Sequence, residues 1–296
     1  MQVGSRRCVL NPQSGTADHA DYVRRHLEAR GFAVQETESK AHAIELGREA
    51  GREGASTLAV CGGDGTVNDV LKGVYEADAL GDVTLAVVPT GTANLLAGTI
   101  GIRDVDHGIE VADTGSVRSV DIGIAEDHPF VVSAIAGLPA DASTAASDEL
   151  KERFGTLAFL IAGARETLAF DGLDIRVVTD GEVVFDGSAL SVLVGNARKF
   201  VEEGGQAAME DGRFDVAVVE EMPPANAVAE AAIHRLLARG TDGVTHLQAG
   251  SVTIESAEPI TFSLDGELKR RDRLSLSIRP RTLDLRVAES YEPSPE

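Results

Sequence analysis

Two stretches, Thr57-Leu-Ala-Val-Cys61 and Thr84-Leu-Ala-Val-Val88, are apolar without any polar alternation. A strand of that composition leaves no face for water, so it belongs in a sheet covered on both sides, as parallel strands joined by helices are. The surrounding chain fits that demand. Arg7 to Leu10 and Phe32 to Glu36 read as further short strands, and helices are expected from about Asp18 to Arg30, Ala41 to Arg52 and Val67 to Tyr75. The first of these stops at Gly31, a residue suited to a helix C-terminus. Strand and helix in alternation predict an α/β unit with a parallel sheet.

The period changes at Ser119-Val-Asp-Ile-Gly123. Short alternating strands are expected at Phe130–Ile135, Asp174–Thr179, Glu182–Phe185, Leu190–Gly195, Phe214–Val219, Val252–Ser256, Thr261–Leu264 and Leu274–Ile278, with helices over about 148–169 and 225–239. Such a pattern predicts an antiparallel β-rich unit, a sandwich. At 296 residues the chain exceeds what one hydrophobic core supports. The expected division is therefore an α/β domain over 1–122, a β-sandwich domain over 123–285, and a tail over 286–296 that packs back on the first domain and frays from Tyr291. Exposed strand edges in the second half suggest a homodimer.

Three turns leave the ends of the expected parallel strands: Asn11-Pro-Gln-Ser-Gly15, Gly62-Gly-Asp-Gly-Thr66 and Pro89-Thr-Gly-Thr-Ala-Asn94. Ligands of parallel sheets bind beyond the carboxyl ends of strands. Glycine there lets main-chain N–H groups approach a phosphate, and the following helix start adds its positive dipole. Ser14, Thr66 and Thr92 are further donors. Three such turns on one edge point to a nucleotide. Neither GxxxxGK[ST] nor a complete GxGxxG is present, since Asn68 stands where the third glycine would be. Asp64 within the second turn repels phosphate unless a cation intervenes, which suggests Mg²⁺; the alternative is an aspartate capping the helix that begins at Thr66.

Charge narrows the function classes. There are 48 acidic residues against 27 basic ones, a formal net charge of −21, and only Lys40, Lys72, Lys151, Lys199 and Lys269 are lysines. A phosphate-backbone grip needs a positive surface, so nucleic acid is not an expected partner. Self-repulsion of this size fades when the Debye length falls to about 3 Å in molar salt, so the composition suggests a salt-rich, halophilic cytosol, the alternative being an acidic protein of an ordinary one. No apolar run approaches the ~20 residues of a membrane span, and the N-terminus does not lead into a signal-peptide core; a cytoplasmic protein is expected. Cys8 and Cys61 end apolar stretches and read as small core residues. The histidines form no HExxH.

Cys61-Gly-Gly-Asp-Gly-Thr-Val-Asn-Asp-Val70 resembles the signature loop of the diacylglycerol kinase catalytic family, which includes sphingosine kinases and YegS-like lipid kinases. Its Gly-Gly-Asp-Gly-Thr core is shared with NAD kinases, but Pro89-Thr-Gly-Thr-Ala-Asn-Leu-Leu-Ala97 is similar to the lipid kinases' second motif. Asn11-Pro-x-Ser-Gly15, Ser119-Val-Asp-Ile-Gly123, Val194-Gly-Asn196, Asp211-Gly-Arg-Phe-Asp-Val216 and Ser263-Leu-Asp-Gly-Glu267 match further blocks in the family's order. The resemblance implies an ATP-dependent lipid kinase with an NAD kinase/diacylglycerol kinase-like first domain. Asn11, Pro12, Ser14, Gly15, Thr37, Gly62, Gly63, Asp64, Gly65, Thr66, Asn68, Gly91, Thr92 and Asn94 would surround ATP. It also implies Glu267 as general base with Asp265 in support, and a structural Mg²⁺ on Asp211 and the carbonyl of Arg213. Read from the residues alone, Asp265-Gly266 is a hairpin turn, a reading that can hold alongside the catalytic one.

Three departures bear on specificity: Leu95 where many relatives carry Asp, Ser133 where they carry Asn, and a charged stretch between Gly195 and Gly204. Seven cations between Lys269 and Arg286 would give an acidic protein a local, transient membrane contact; the alternative is the wet face of a strand. The apolar segment 154–170 is a second candidate for lipid contact, or buried core. The acceptor implied is a diacylglycerol-like alcohol, with ether-linked isoprenoid tails if the cell is halophilic. NAD kinase activity and a nucleotide-binding regulator without turnover are the competing readings. The salt expectation is checked by thermal unfolding: raising KCl from about 0.1 M to about 2 M should lift the midpoint by roughly 10 °C, and an unchanged midpoint would contradict it.

Overall fold

The computed structural model describes residues 5–15, 19–137, 172–199, 205–220 and 244–295. The first half alternates as the sequence demands: β1 (Arg6–Leu10), α1 (Ala20–Glu28), β2 (Ala33–Glu36), α2 (Lys40–Arg52), β3 (Thr57–Gly62), α3 (Asp64–Glu76) and β4 (Thr84–Pro89). Strands β2, β1, β3 and β4 lie side by side and parallel, in that order. Every residue of β3 is buried, as its unbroken apolar run requires. Two helices were not legible in the pattern, α4 (Leu95–Thr99) and α5 (Val105–Thr114). The second begins with the Asp104 side chain accepting from the His107 N–H, an ordinary cap.

The second half is antiparallel: β5 (Ser116–Ala125), β6 (His128–Phe130), β7 (Ser133–Gly137), β8 (Leu173–Thr179), β9 (Glu182–Gly195), β10 (Arg198–Lys199), β11 (Gly205–Gln206), β12 (Phe214–Glu220), β13 (Val244–Ala249), β14 (Ser251–Leu264) and β15 (Glu267–Val287). Its core is the alternate residues of these strands, with Phe130 stacked on Phe214 at 5.7 Å between ring centroids. The expected helices over 148–169 and 225–239, and the apolar segment 154–170, lie outside the described residues.

β15 is 21 residues long and joins the two halves. It pairs with β14 along its first part and with β5 further on, and Leu285 meets Leu85 of β4. Leu283 and Leu285 are buried in the same core as α2, α3 and β4. The seven cations expected to form one membrane patch are consequently spread along roughly 55 Å of strand. Arg271 pairs with Glu126 and Arg273 with Glu255, while Arg281 and Arg286 donate to the carbonyls of Glu210 and Gly115.

Four expectations need correction. The strands expected separately at Glu182–Phe185 and Leu190–Gly195 are one strand, β9, and those at Val252–Ser256 and Thr261–Leu264 are one strand, β14. The single strand predicted over Phe130–Ile135 is broken at Val131 and Val132, because their N–H groups turn out of the ladder to a carboxylate described below. The tail does not fray from Tyr291: Ala288 N–H donates to Ile100, and Tyr291 is buried with its hydroxyl on Glu210 at 3.3 Å. Burial first, and then the Glu210 charge, raises the phenol's pKa. Cys8 and Cys61 are buried free thiols.

Candidate active site

The three bends do gather at the carboxyl edge of the parallel sheet. Asn11 N–H bonds the Cys61 carbonyl and its side-chain amide donates to Thr66 Oγ1 at 2.9 Å, tying the first bend to the second. Ser14 Oγ lies 2.6 Å from Thr90 Oγ1, tying the first to the third. Gly15 has φ +56°, and a Cβ there would stand 2.3 Å from the Thr90 carbonyl oxygen. Gly91 packs so closely on Gly63 that a Cβ on it would come within 2.4 Å of the Gly63 Cα. These glycines are required by backbone-to-backbone contact.

Gly65 is different. A Cβ at that position would meet nothing within 4 Å, and the residue lies in the first turn of α3, where alanine is the better helix former. The protein itself gives no reason for glycine at 65; a group approaching from outside would.

Asp64 caps a helix, though not the one expected. Its two carboxylate oxygens accept the N–H groups of Leu95 and Leu96 at 3.0 and 3.1 Å, fastening α4 to the start of α3. Asn94 enters that helix at φ +47°, its side chain looped onto Gly91 through both the N–H and the carbonyl. Thr92 is exposed, whereas the Ser14 and Thr66 hydroxyls already bond within the bends. Thr37 is buried and donates to the Ser39 carbonyl just ahead of α2. Pro12 lies in the first bend.

The acidic hairpin tip faces these bends. Asp265 and Gly266 both have positive φ, +46° and +89°, and Leu264 pairs directly with Glu267 across them; the hairpin reading and the site reading hold together. The Asp265 carboxylate accepts three N–H groups, Val131 at 2.7 Å, Val132 at 3.0 Å and Ser133 at 2.8 Å. This is what breaks the expected strand. Burial raises its pKa to about 6; the three amides oppose that shift and the Asp64 carboxylate adds to it. Asp64, Asn68, Leu96, Val131, Val132 and Asp265 are among the residues around a small cavity of ≈ 10 Å³, about enough for one water molecule. Asn68 Oδ1 is buried there without a partner. Such an orphaned acceptor costs roughly 1–3 kcal/mol, and it marks where an external donor or cation is wanted.

Glu267, two residues on, stands in different company. Its Oε2 lies 3.0 Å from Lys40 Nζ of α2 and 3.3 Å from His128 Nε2 of β6, and Lys40 also reaches Asp69 at 3.6 Å. Burial works to raise the Glu267 pKa, but the Lys40 bond and charge, with His128 and Lys269 behind, hold it below the usual range. Burial keeps His128 neutral, its pKa lowered to about 4.

Sequence reasoning missed the support of the tip. Asn196 is buried, and its amide donates to the carbonyls of Asp121 and Val131 at 3.0 and 2.8 Å, bracing from behind the gap that Asp265 grips. Asp121 is buried too and accepts from Gly212 and Arg281. A lone acid in an apolar strand was the available signal. Asp211 caps the Arg213 N–H at 2.9 Å beside this group, not beside Asp64. Among the described residues no three His, Cys, Asp or Glu side chains assemble as a metal site.

Residues 7–125 match the family model described as the diacylglycerol kinase catalytic domain, and residues 132–287 match the YegS C-terminal NAD kinase beta sandwich-like domain. The chain belongs to the diacylglycerol kinase family of lipid kinases. It is 26% identical to a diacylglycerol kinase of Bacillus subtilis, over 88% of this chain and 89% of that one. It is 29% identical to a diacylglycerol kinase of Staphylococcus carnosus, over 88% of both. The fold is that of a diacylglycerol kinase crystal structure from Bacillus anthracis, with a TM-score of 0.73 at 17% identity over 99% of this chain and all of the other.

Membership in this phosphotransferase family gives Mg²⁺ a place to be tested. Near Asp64 the donors are hard oxygens: the carboxylate, whose oxygens each keep a lone pair beyond the amide bond, and the unpartnered Asn68 Oδ1. That set fits a cation that keeps several waters and takes few protein ligands. At Asp211 one carboxylate, half engaged by an amide, fits less well.

The lipid kinase family makes a sharp prediction at Gly65. Gly65→Ala should raise unfolding stability by roughly 0.5–1 kcal/mol while weakening ATP binding at least about tenfold. Thermal unfolding and calorimetric titration on one sample would check it; unchanged ATP affinity would mean that no ligand approaches this residue.

Proposed function

We propose that the protein is an ATP-dependent, Mg²⁺-assisted lipid kinase that transfers the terminal phosphoryl group of ATP to the hydroxyl of a diradylglycerol-like lipid. The observation that carries this reading is the meeting of the Asp265 carboxylate with Asp64 and Asn68 at the glycine bends. Phosphoryl transfer is mostly positioning and charge neutralisation, with a carboxylate to orient the attacking hydroxyl. In this reading the first unit holds the nucleotide and the sandwich presents the acceptor. The main-chain N–H groups of Gly63, Asp64, Gly65 and Thr92, with Asn11, Ser14 and Thr37, bind the nucleotide. Asp64 and Asn68 would hold the cation, which when bound neutralises developing phosphate charge.

The sequence pattern favoured Glu267 as the base with Asp265 in support. The surroundings of the two carboxylates favour the reverse. A pKa near 6 suits a group that must be ionised at neutral pH yet still take a proton, whereas Glu267 is engaged by Lys40 and His128. Asp265 therefore takes the hydroxyl proton through the face its amides leave open. Among the described residues no helix is long and apolar enough to cross a membrane. The acidic composition extends the proposal to ether-linked isoprenoid tails, to be tried beside acyl ones.

Incubation with labelled ATP and dioctanoylglycerol in mixed micelles, at low and high KCl, tests the reading: label should enter the organic phase. Asp265→Asn should lower kcat at least about 100-fold with ATP affinity within about threefold, while Glu267→Gln loses clearly less. A loss of about 100-fold in Glu267→Gln with a clearly smaller one in Asp265→Asn would return the base to Glu267. Label in aqueous NADP and none in lipid would refute lipid kinase activity.

A further inference from the structure

The chain holds five lysines, and three of them, Lys40, Lys72 and Lys269, come together around His128 and the adjoining Glu267 from α2, α3 and β15. In a protein of net charge −21 that convergence is the reverse of what composition would supply. Of the other two, Lys151 lies outside the described residues and Lys199 is on β10. Lys40 shares its ammonium between Glu267 and Asp69. Lys72 and Lys269 have no carboxylate within 4.0 Å among the described residues, although 48 acids are available in the chain. Both are half-buried. Each lysine opposes a charge on His128, and Lys72 opposes the charge on Lys269, so the group is crowded with cations. Lys269 feels Glu267 and Asp127, and Lys72 feels Asp69, only from beyond ion-pair distance, and cations partly drawn out of water without a close partner are costly unless something anionic completes them.

We propose that Lys40, Lys72 and Lys269 form a phosphate-binding subsite beside the hairpin tip, whose place is held in the free protein by the carboxylate of Glu267. A carboxylate on a lysine at 3.0 Å, backed by a neutral imidazole at 3.3 Å, occupies the position that an anionic oxygen of a ligand would take, and lysine is an effective point-charge partner for phosphate. Hydrogen bonds to His128 Nε2 and Glu267 Oε2 are otherwise unsatisfied, consistent with a resident that exchanges for a better ligand. The identity of the phosphate rests on the kinase reading: it belongs to the terminal phosphoryl group of the nucleotide or to a phosphate carried on the acceptor lipid.

Full-length protein distinguishes these sources. Inorganic triphosphate, ATP and ADP are titrated calorimetrically into wild type, Lys72→Met, Lys269→Met and Lys269→Arg. Transfer is then measured with neutral dioctanoylglycerol and with dioctanoylphosphatidylglycerol as acceptors. If the subsite takes the terminal phosphoryl group, each Met variant loses about tenfold in affinity for ATP and triphosphate and nothing for ADP. If it takes a phosphate on the acceptor, nucleotide binding is unchanged and KM rises about tenfold for the phosphate-bearing lipid alone. Lys269→Arg keeps wild-type values within about threefold in either case. Met variants that match wild type in every arm overturn the subsite and leave the kinase reading standing. A wild type that transfers to no lipid, yet binds triphosphate through Lys72 and Lys269, removes the kinase reading and leaves the subsite.

Discussion

Three main-chain amides gripping one carboxylate organise the centre of this molecule. The bonds from Val131, Val132 and Ser133 to Asp265 add to the β7 pairing and the Lys40–Glu267 ion pair in holding the β14–β15 tip over the glycine bends. The cost is visible in both partners. A strand is interrupted where its apolar sequence would have continued, and a carboxylate is drawn far enough from water for its pKa to rise to about 6. Asn196 bears on the same gap from the other side by taking up the Val131 carbonyl. The grip returns once more in the Asp265 N–H, which donates to Ser133. A two-way attachment of this kind fixes direction as well as distance, and direction is what phosphoryl transfer asks of a base.

The second organising fact is how the bends are welded to one another. Gly63 against Gly91, Gly15 against Thr90, and Asp64 across to Leu95 and Leu96 leave no slack between the three turns. The N–H groups not consumed by those contacts then lie along one edge. Charge follows the same geometry. Lysine is scarce in this chain, yet three of its five lysines act together on His128, beside Glu267.

Much of this could be read in advance, for reasons particular to each element. Buried parallel strands announce themselves because they have no wet face, which is why β3 and β4 fell within a residue of expectation. Glycine bends are visible because few residues tolerate such close backbone approach. Helix α4 was hidden by its five-residue length and by an entry through left-handed Asn94. The break at Val131 was hidden for a different reason: its cause, Asp265, lies 134 positions away, beyond the reach of any local pattern. The same holds for Lys40 on Glu267 and for Tyr291 on Glu210. Short-range chemistry was legible, and pairings between distant parts of the chain were not.

The central claim is that the hairpin tip and the glycine bends close on a single nucleotide. Amide hydrogen exchange with and without a non-hydrolysable ATP analogue and Mg²⁺ tests it most directly. The account predicts slowed exchange together at residues 63–66, at 91–96 and at the opposing 131–133 and 264–268. Protection confined to one side, or found only at residues remote from both, would contradict it.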